Sequence, residues 1–203
     1  MISGEKFIEY LKSGEIPPEP PEGSSIGGCD WSIGKYSEKD WRGEATSRGM
    51  WAIVEKSWVS CLAEWIGNRS CVEVMAGAGW LAKALANAGI DVVANDNGEW
   101  DERHSKMIFV HNVEKLDGVE AAKKYADREI LIISWPPYGD MAICDICENW
   151  TFPKTIIYIG EGEGGCNAPD EFWNRFHTIK NYPDIPLMAW NRIHDHVFIG
   201  TFR

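Results

Sequence analysis

From about residue 50 onward, short apolar runs alternate with stretches of helical periodicity. Apolar runs of four to eight residues bounded by turn signals predict strands, and apolar positions spaced three and four apart predict helices. The predicted strands are 71–76, 91–96, 107–111, 129–134 and 155–160, and the predicted helices are 3–13, 49–66, 79–88, 119–126 and 170–176. The run at 129–134 is apolar on both faces, as expected for the centre of a parallel sheet.

The order of these elements predicts the fold class. Alternating strands and helices build a parallel sheet with helices on both faces. Two apolar runs near the end of the chain, 186–190 and 196–202, are separated by a short polar turn, which indicates an antiparallel hairpin. We therefore expect an α/β fold: a Rossmann-like, doubly wound, mostly parallel sheet in three α/β/α layers, closed by an antiparallel C-terminal hairpin.

The first part of the chain has a different composition. After the amphipathic helix predicted at 3–13, the run Pro17-Pro18-Glu19-Pro20-Pro21 excludes helix and favours an extended arm. We predict two parts: residues 1–48, a helix and a proline-rich arm, and residues 49–203, the α/β domain. The arm is either a lid or interaction segment, or a terminus without fixed structure.

The most informative segment is the glycine loop between the first predicted strand of the domain and its helix. It contains Gly77-Ala78-Gly79, and Asp96 follows at the end of the next strand. Glycines let the backbone approach a ligand closely, and an acid at this distance is typical of ribose binding, so the unit predicts an adenosine-containing cofactor. NAD is one candidate. Against it, Glu73 lies in the buried strand, where an unpartnered carboxylate is unfavourable.

A second motif, Ser134-Trp135-Pro136-Pro137-Tyr138, directly follows the central strand. The two prolines stiffen the loop, so that its carbonyl groups point in fixed directions. The tyrosine offers a ring on which a planar group can stack. The carboxyl ends of parallel strands meet at one edge of the sheet, so we expect this loop to lie near the glycine loop.

Together these two motifs resemble the class I S-adenosylmethionine-dependent methyltransferases, and the Pro-Pro-Tyr motif resembles that of the amino (N-) methyltransferases. The resemblance covers roughly residues 50–203. It implies S-adenosyl-L-methionine as the cofactor and transfer of its methyl group to a nitrogen. The implied catalytic residues are Trp135, Pro136, Pro137 and Tyr138. The implied cofactor-binding residues are Glu73, Ala76, Gly77, Ala78, Gly79, Asp96, Asn97, Asn112, Val113 and Ser134.

The chain departs from the motif at Trp135, which occupies the polar position and removes a side-chain acceptor for the target amine. This lowers the expectation of an adenine or cytosine amine as the target. Three alternatives stay open: a non-catalytic S-adenosylmethionine-binding protein of the same fold, a lyase or hydrolase that acts on the cofactor itself, and an NAD-dependent oxidoreductase. Each motif residue also has a purely structural interpretation, such as a helix cap at Asp96.

Charge restricts the partners. The 203 residues carry a net charge of −11, and no long Lys/Arg cluster is present. Duplex DNA is bound largely through phosphate contacts, so strong duplex binding is not expected. The methyl acceptor stays open among small molecules, proteins and nucleic acids. No apolar run approaches the roughly 20 residues of a membrane helix, so no membrane association is expected.

The six cysteines are irregularly spaced, which favours reduced thiols and a cytoplasmic location. Cys144 and Cys147 form a lone C-x-x-C pair, which is weak evidence for zinc, and no metal is predicted. A glycine-rich loop after the strand at 155–160 contains Glu161, Glu163 and Cys166. It is expected at the ligand-binding edge of the sheet, where its acids either contact a substrate or are only solvated.

Overall fold

The computed structural model describes residues 1–27, 41–99, 106–150 and 154–203. It contains these strands: β1 Ser25–Ile26, β2 Cys71–Val74, β3 Val92–Asp96, β4 Val113–Lys115, β5 Ile130–Ser134, β6 Thr155–Glu161, β7 Phe176–Thr178, β8 Met188–Ala189 and β9 Asp195–Phe202. Its helices are α1 Gly4–Ser13, α2 Trp41–Thr46, α3 Lys56–Ile66, α4 Trp80–Asn87, α5 Gly118–Lys124, α6 Ala142–Asn149 and α7 Asp170–Arg175. None of the helices within these ranges is long and apolar enough to cross a membrane.

Seven of the strands form one sheet in the order β4-β3-β2-β5-β6-β9-β7. The five strands from β4 to β6 pair in parallel, and β9 runs antiparallel between β6 and β7. The strand order reverses between β2 and β5, which is where open α/β sheets bind ligands. The predicted fold class, a Rossmann-like sheet closed by an antiparallel pair, is confirmed.

Strand alternation divides the core into two layers. Ile130 and Ile132 of β5 pack into one hydrophobic cluster, whereas Leu131 and Ile133 pack into another. The first cluster includes side chains of α1, α3 and α4, and the second includes side chains of α5, α6 and α7. Because successive strand residues face opposite sides of a sheet, an unbroken apolar run is what a strand covered on both faces needs.

Helix α1 packs into the first of these clusters, against the α/β domain. Its apolar face, Phe7, Ile8 and Leu11, is buried there, and Ile16 after it is also buried. Ser3 caps the helix at its start, and Gly14 ends it in the left-handed conformation at φ 74°. Residues 28–40 of the predicted arm lie outside the described residues, and the boundary near residue 48 stays a prediction.

The third strand of the parallel sheet lies later in the chain than predicted. It spans Val113–Lys115 and pairs with β3, whereas residues 107–110 form no strand. The Val110 amide instead donates to the carbonyl of Ala78 at 2.9 Å, so this segment packs on the glycine loop. Ile108 and Phe109 are exposed. Their apolar character therefore misled the strand assignment.

The antiparallel end of the sheet also differs in detail. β9 confirms the strand predicted at 196–202, but its partner at the sheet edge is β7, which follows α7 directly. The other predicted arm, 186–190, contributes only β8, and β8 pairs with β1 near the N-terminus. The only apolar run that the sequence offered as a partner for β9 was 186–190; β7 is the short, partly polar segment Phe-His-Thr, and only the tertiary structure selects it.

The helix predicted over 49–66 begins at Lys56, because residues 48–54 form turns, a bend and irregular backbone instead of a helix. We call residues 48–54 the wall segment. Its carbonyl groups accept hydrogen bonds from tryptophan side chains rather than from helical amides. The indole Nε1 of Trp80 donates to Arg48 at 2.8 Å, that of Trp190 to Trp51 at 3.1 Å, and that of Trp58 to Ile53 at 2.9 Å. These bonds satisfy a backbone that has no neighbouring strand.

Glu55 marks the start of α3. Its fully buried carboxylate accepts hydrogen bonds from the amides of Ser57 at 2.6 Å and Trp58 at 3.2 Å. We predict that Glu55→Ala lowers the free energy of unfolding by about 1–2 kcal/mol, because the cap is lost. Urea denaturation measures this change. Glu64→Ala, at an exposed position of the same helix, is the control, and an equal loss in both variants would contradict the capping role.

Candidate functional site

A cavity of about 660 Å³ opens at the carboxyl ends of the parallel strands. One end is lined by the residues after β2 and β3, and the other by the loop after β5; the wall segment closes the side. Of the predicted site residues, the lining includes Glu73, Ala76, Gly77, Asp96, Asn97, Ser134, Trp135, Pro136, Pro137 and Tyr138. The tertiary structure thus brings the two sequence motifs into a single space.

The glycine loop is held by the acid of the next strand. Gly77, at φ 59°, donates its amide to Asp96 Oδ2 at 3.0 Å, and Gly98 donates to Asp96 Oδ1 at 2.7 Å. Burial raises the pKa of Asp96, and these two backbone bonds oppose that rise. Each carboxylate oxygen can accept more than one hydrogen bond, so Asp96 keeps acceptor capacity toward the cavity.

Glu73, at this end of the cavity, has a carboxylate oxygen that lacks a hydrogen-bond partner. Its side chain is 2% exposed and lines the cavity, and its Oε2 has no hydrogen-bond partner. Burial raises the pKa of Glu73 to about 8; a hydrogen bond from the Ala82 backbone opposes this rise, and the charge of Asp96 adds to it. A buried carboxylate without a partner is unfavourable unless a donor or a cation completes it. The cavity therefore has a built-in acceptor for a cationic or donating group.

Four of the predicted cofactor residues do not line this cavity: Ala78, Gly79, Asn112 and Val113. Gly79 serves close packing instead. At φ 81°, a Cβ on it would lie 2.8 Å from the Cβ of His111 and from the Cγ2 of Val113. Ala78 accepts from the amide of Val110. Ala78 and Gly79 therefore contact the segment 110–113 and do not line the cavity. This packing is possible because β4 begins only at Val113.

Asp117 lies where the prediction had placed Asn112, just after the third parallel strand. It lines the cavity, and its carboxylate accepts from the amide of Val119 at 2.8 Å as the N-cap of α5. The sequence analysis missed it because the strand was placed too early. An Asp between an alternating strand and a helix is a recognisable N-cap signal, and it could have located the end of β4.

The loop after β5 is rigidly anchored. Trp135 adopts φ 53°, which is unusual for a bulky residue, and its amide donates to the carbonyl of Ile159 at 2.8 Å. Its indole Nε1 donates to Asp195 Oδ1 at 2.9 Å. The ring is stacked with Trp51 at a centroid distance of 5.8 Å and an angle of 21°. Trp135 is thus a fixed wall of the site.

Asp195 and Asn167, which the sequence analysis missed, support this loop. Asp195 is fully buried, and its Oδ2 has no partner. Burial raises the pKa of Asp195 to about 7, although the bond from Trp135 opposes the shift. Buried Asn167 donates to the carbonyl of Pro136 at 3.3 Å and accepts from the amide of Glu161 at 2.9 Å. Neither residue stands in a motif, so nothing in the sequence marked them.

The acidic loop after β6 is folded against the same end of the cavity. Glu161 accepts from the amides of Cys166 at 2.8 Å and His194 at 2.9 Å. Although burial raises it, the pKa of Glu161 falls below its ordinary value because of these hydrogen bonds. Cys166 lines the cavity, and burial raises its pKa to about 11, so it stays a neutral thiol near pH 7.

The described residues contain no group of three or more His, Cys, Asp or Glu arranged to hold a metal ion. Cys144 and Cys147 of the C-x-x-C pair are buried in the second core cluster, where burial raises the pKa of both thiols. Tyr138 is 79% exposed at the mouth of the cavity. Its ring therefore offers a largely free face.

No family model and no curated protein matches the chain. Solved structures do match it. The mitomycin 7-O-methyltransferase MmcR has a TM-score of 0.50 and 10% identity, over 98% of this chain and 67% of that one. Protein 1320 of Thermoplasma acidophilum has a TM-score of 0.43 and 16% identity, over 100% and 99%. A SAM-dependent methyltransferase from Archaeoglobus fulgidus has a TM-score of 0.46 and 13% identity, over 77% and 96%.

These similarities concern the fold. The chain has a Rossmann-like α/β fold, which it shares with the methyltransferase MmcR. The identities are too low to transfer a substrate or a residue role. What the chain binds therefore depends on its own cavity.

Burial of Glu73 has a measurable consequence for stability. Its pKa is about 8 in the folded chain and ordinary in the unfolded chain, so its protonated form stabilises the fold below about pH 4.5, and this contribution is lost as the pH rises toward 8. We predict that Glu73→Gln is more stable than the wild type by about 2–4 kcal/mol at pH 8.5, with a much smaller difference at pH 5.

Urea denaturation of the protein without ligands, at both pH values, tests this prediction. Glu120→Gln is the matched control, since Glu120 is exposed on α5. It should change the unfolding free energy little at either pH. A stability difference between Glu73→Gln and the wild type that does not grow with pH would show that Glu73 is not the strained group.

Proposed function

We propose that this protein binds S-adenosyl-L-methionine in the cavity and transfers its methyl group to a nitrogen of an acceptor held by the loop after β5. The observation that carries the proposal is the continuity of the cavity. Glu73 and Asp96 line one end, and residues 135–138 line the other. A cofactor bound at the first end and an acceptor bound at the second would therefore meet in the middle of the cavity.

The residues at the first end suit this cofactor. The carboxyl group of Glu73 is buried and its Oε2 has no partner, and a nearby ammonium group would favour its carboxylate form and pair with it. Asp96 has acceptor capacity for the two hydroxyls of a ribose, and Asp117 borders the same end from the start of α5. We propose that Asp117 contacts the cofactor in place of Asn112, which the resemblance had implied as a cofactor-binding residue. Gly77 leaves the floor of the site open because it has no side chain.

When bound, the cofactor would supply an electrophilic methyl group on a sulfonium, and the protein has mainly to align the reactants and exclude water. Trp51, Trp80 and Leu81 form apolar walls for this purpose. A neutral amine attacks with its own lone pair and loses its proton to water afterwards. The absence of a histidine from the described lining is therefore no obstacle to this reaction.

The loop after β5 would hold the acceptor by its shape. Asn167 fixes the carbonyl of Pro136, whose second lone pair still accepts a hydrogen bond. Pro136 and Pro137 limit the backbone to one conformation. Trp135 takes the place of the polar residue, so the acceptor nitrogen would be oriented by carbonyl groups and by contact with the ring of Tyr138.

We place the protein in the cytosol, since the five described cysteines are free.

A second candidate is a cofactor-binding protein that transfers no methyl group. It is favoured by the same substitution, because Trp135 uses its Nε1 for Asp195 and has no acceptor atom to offer an amine. The two functions share the first end of the cavity and differ only at the second. Cofactor binding alone thus cannot separate them, whereas a transfer assay can.

Calorimetric titration with S-adenosylmethionine and, separately, with NAD tests the cofactor. We expect binding of the first only; binding of NAD alone would refute the proposal. Incubation with the labelled methyl donor and a panel of small amines, proteins and nucleic acids then tests transfer. Binding without transfer to any of them would support the second candidate. Breakdown of the cofactor on its own would indicate a lyase or hydrolase.

Two substitutions separate the ends of the site. We predict that Asp96→Asn weakens S-adenosylmethionine binding about 10- to 100-fold, because a charge-assisted acceptor for hydroxyl groups is lost. Tyr138→Ala should leave this affinity within about twofold and lower the rate of methyl transfer, since Tyr138 lies at the exposed mouth. Calorimetry and the transfer assay measure the two effects. Equal loss of affinity in both variants would contradict this division.

A further inference from the structure

Arg42 brings a guanidinium to the loop end of the cavity from helix α2. It lines the cavity together with Trp51, Trp135 and Cys166. Its Cζ lies 5.4 Å from the centroid of the Trp135 ring. A guanidinium over an aromatic ring is held in place by the cation–π attraction, and its in-plane N–H donors stay available for an acceptor. Among the described residues of the lining, it is the one Lys or Arg.

One donor of the Arg42 guanidinium has no partner among the residues that the structure describes. Its Nε is buried and has no hydrogen-bond partner. Asp195 feels the positive charge, which lowers the pKa of that carboxyl, but the bond that Asp195 accepts comes from Trp135. Buried donors in folded proteins are normally paired, so an orphaned guanidinium N–H in a cavity wall points to a ligand acceptor.

Among the described lining residues the one positive charge lies at one end of the cavity, whereas acids occur at both ends. Glu73, Asp96 and Asp117 border the end that we assign to the cofactor, whereas Arg42 lies beside Trp135 and Cys166 at the acceptor end. Acidic groups are also present at that end, since Asp140 lines it and Asp195 is buried behind Trp135. One guanidinium among these acids suits a single negative charge and disfavours a doubly charged phosphate.

The rest of the acceptor end is aromatic and apolar. Trp51, Pro136 and Pro137 line it, and Tyr138 stands at its mouth. Flat rings pack well against such surfaces, whereas a flexible aliphatic chain would lose more rotational freedom on binding. A planar carboxylate matches the fork of a guanidinium through two parallel hydrogen bonds.

We infer that the methyl acceptor is an aromatic amine that carries one carboxylate, and that Arg42 binds this carboxylate. The inference rests on the proposed function and adds the chemical class of its substrate. Arg42 would act as a specificity residue that anchors the far side of the ring. The amine nitrogen is then directed by the stiff loop toward the cofactor end of the cavity.

The test uses two isosteric probes, 3-aminobenzoate and 3-aminobenzamide, titrated by calorimetry into the full chain saturated with S-adenosylhomocysteine. The wild type should bind the carboxylate at least about 10-fold more tightly than the amide. Arg42→Gln should lose this preference, and Arg42→Lys should retain part of it, because it keeps the charge but not the fork. Lys180→Gln removes an exposed charge elsewhere and should behave as the wild type.

Near-ultraviolet circular dichroism and the affinity for S-adenosylhomocysteine show whether each variant keeps its fold and its cofactor end. Weaker S-adenosylhomocysteine binding by a folded Arg42→Gln would overturn the inference, since the guanidinium would then hold the cofactor's own carboxylate. Equal binding of both probes, or of neither, by a wild type that binds S-adenosylhomocysteine would also overturn it. A wild type that does not bind S-adenosylhomocysteine would instead refute the proposed function itself.

Discussion

The site depends on hydrogen bonds from indole groups to a stretch of backbone with no secondary structure. The wall segment closes one side of the cavity and has no adjacent strand, so its carbonyl groups need other donors. Trp58, Trp80 and Trp190 supply them from three separate parts of the chain. The wall segment also carries Trp51, which stacks with Trp135. The indole hydrogen bonds to the wall segment therefore also position the Trp51 ring at the acceptor end of the cavity.

Of the five buried polar atoms without a hydrogen-bond partner in the described residues, two belong to cavity-lining residues and a third to Asp195 behind Trp135; the other two are Asn95 Oδ1 and Trp173 Nε1. The Oε2 of Glu73, the Oδ2 of Asp195 and the Nε of Arg42 are all buried without hydrogen-bond partners. Each lowers the stability of the unliganded chain, because a polar group removed from water without a partner is unfavourable. Most buried polar groups in folded proteins have partners, so each unpartnered one needs an explanation, and a functional site that a ligand completes is one such explanation. The positions of these unpartnered atoms support a ligand-binding site in the cavity. This argument does not use the similarity to other structures.

The substitution at Trp135 is better understood as a built feature than as a lost residue. The unusual φ of 53°, the backbone bond to Ile159 and the side-chain bond to Asp195 hold the indole in one position. A degenerate site would not need a buried carboxylate dedicated to it. Trp135 thus forms a rigid aromatic wall, which suits the flat acceptor that we propose.

Much of the fold could be predicted from local patterns. The strands at 130–134 and 155–161 are largely unbroken apolar runs. A strand that is buried on both faces needs such a run, so these two segments were correctly predicted as strands. The glycine loop was identified because the backbone can approach a ligand closely only where a residue has no side chain. Asp96 was identified because an acid at the end of the next strand lies at the ligand-binding edge of the sheet. The third strand was placed too early because Ile108 and Phe109 are apolar although they are exposed, and it is the Val110 amide that bonds to the glycine loop.

By itself, the sequence determined the α/β class, the strand–loop–helix unit and the stiff Pro-Pro-Tyr loop, because each depends on residues close together in the chain. Only the tertiary structure decided which edge strand pairs with β9, where the wall segment runs, and that Arg42, Asp117, Asn167 and Asp195 belong to the site. Those positions depend on contacts between residues far apart in sequence. Local periodicity and turn chemistry carry no information about such contacts.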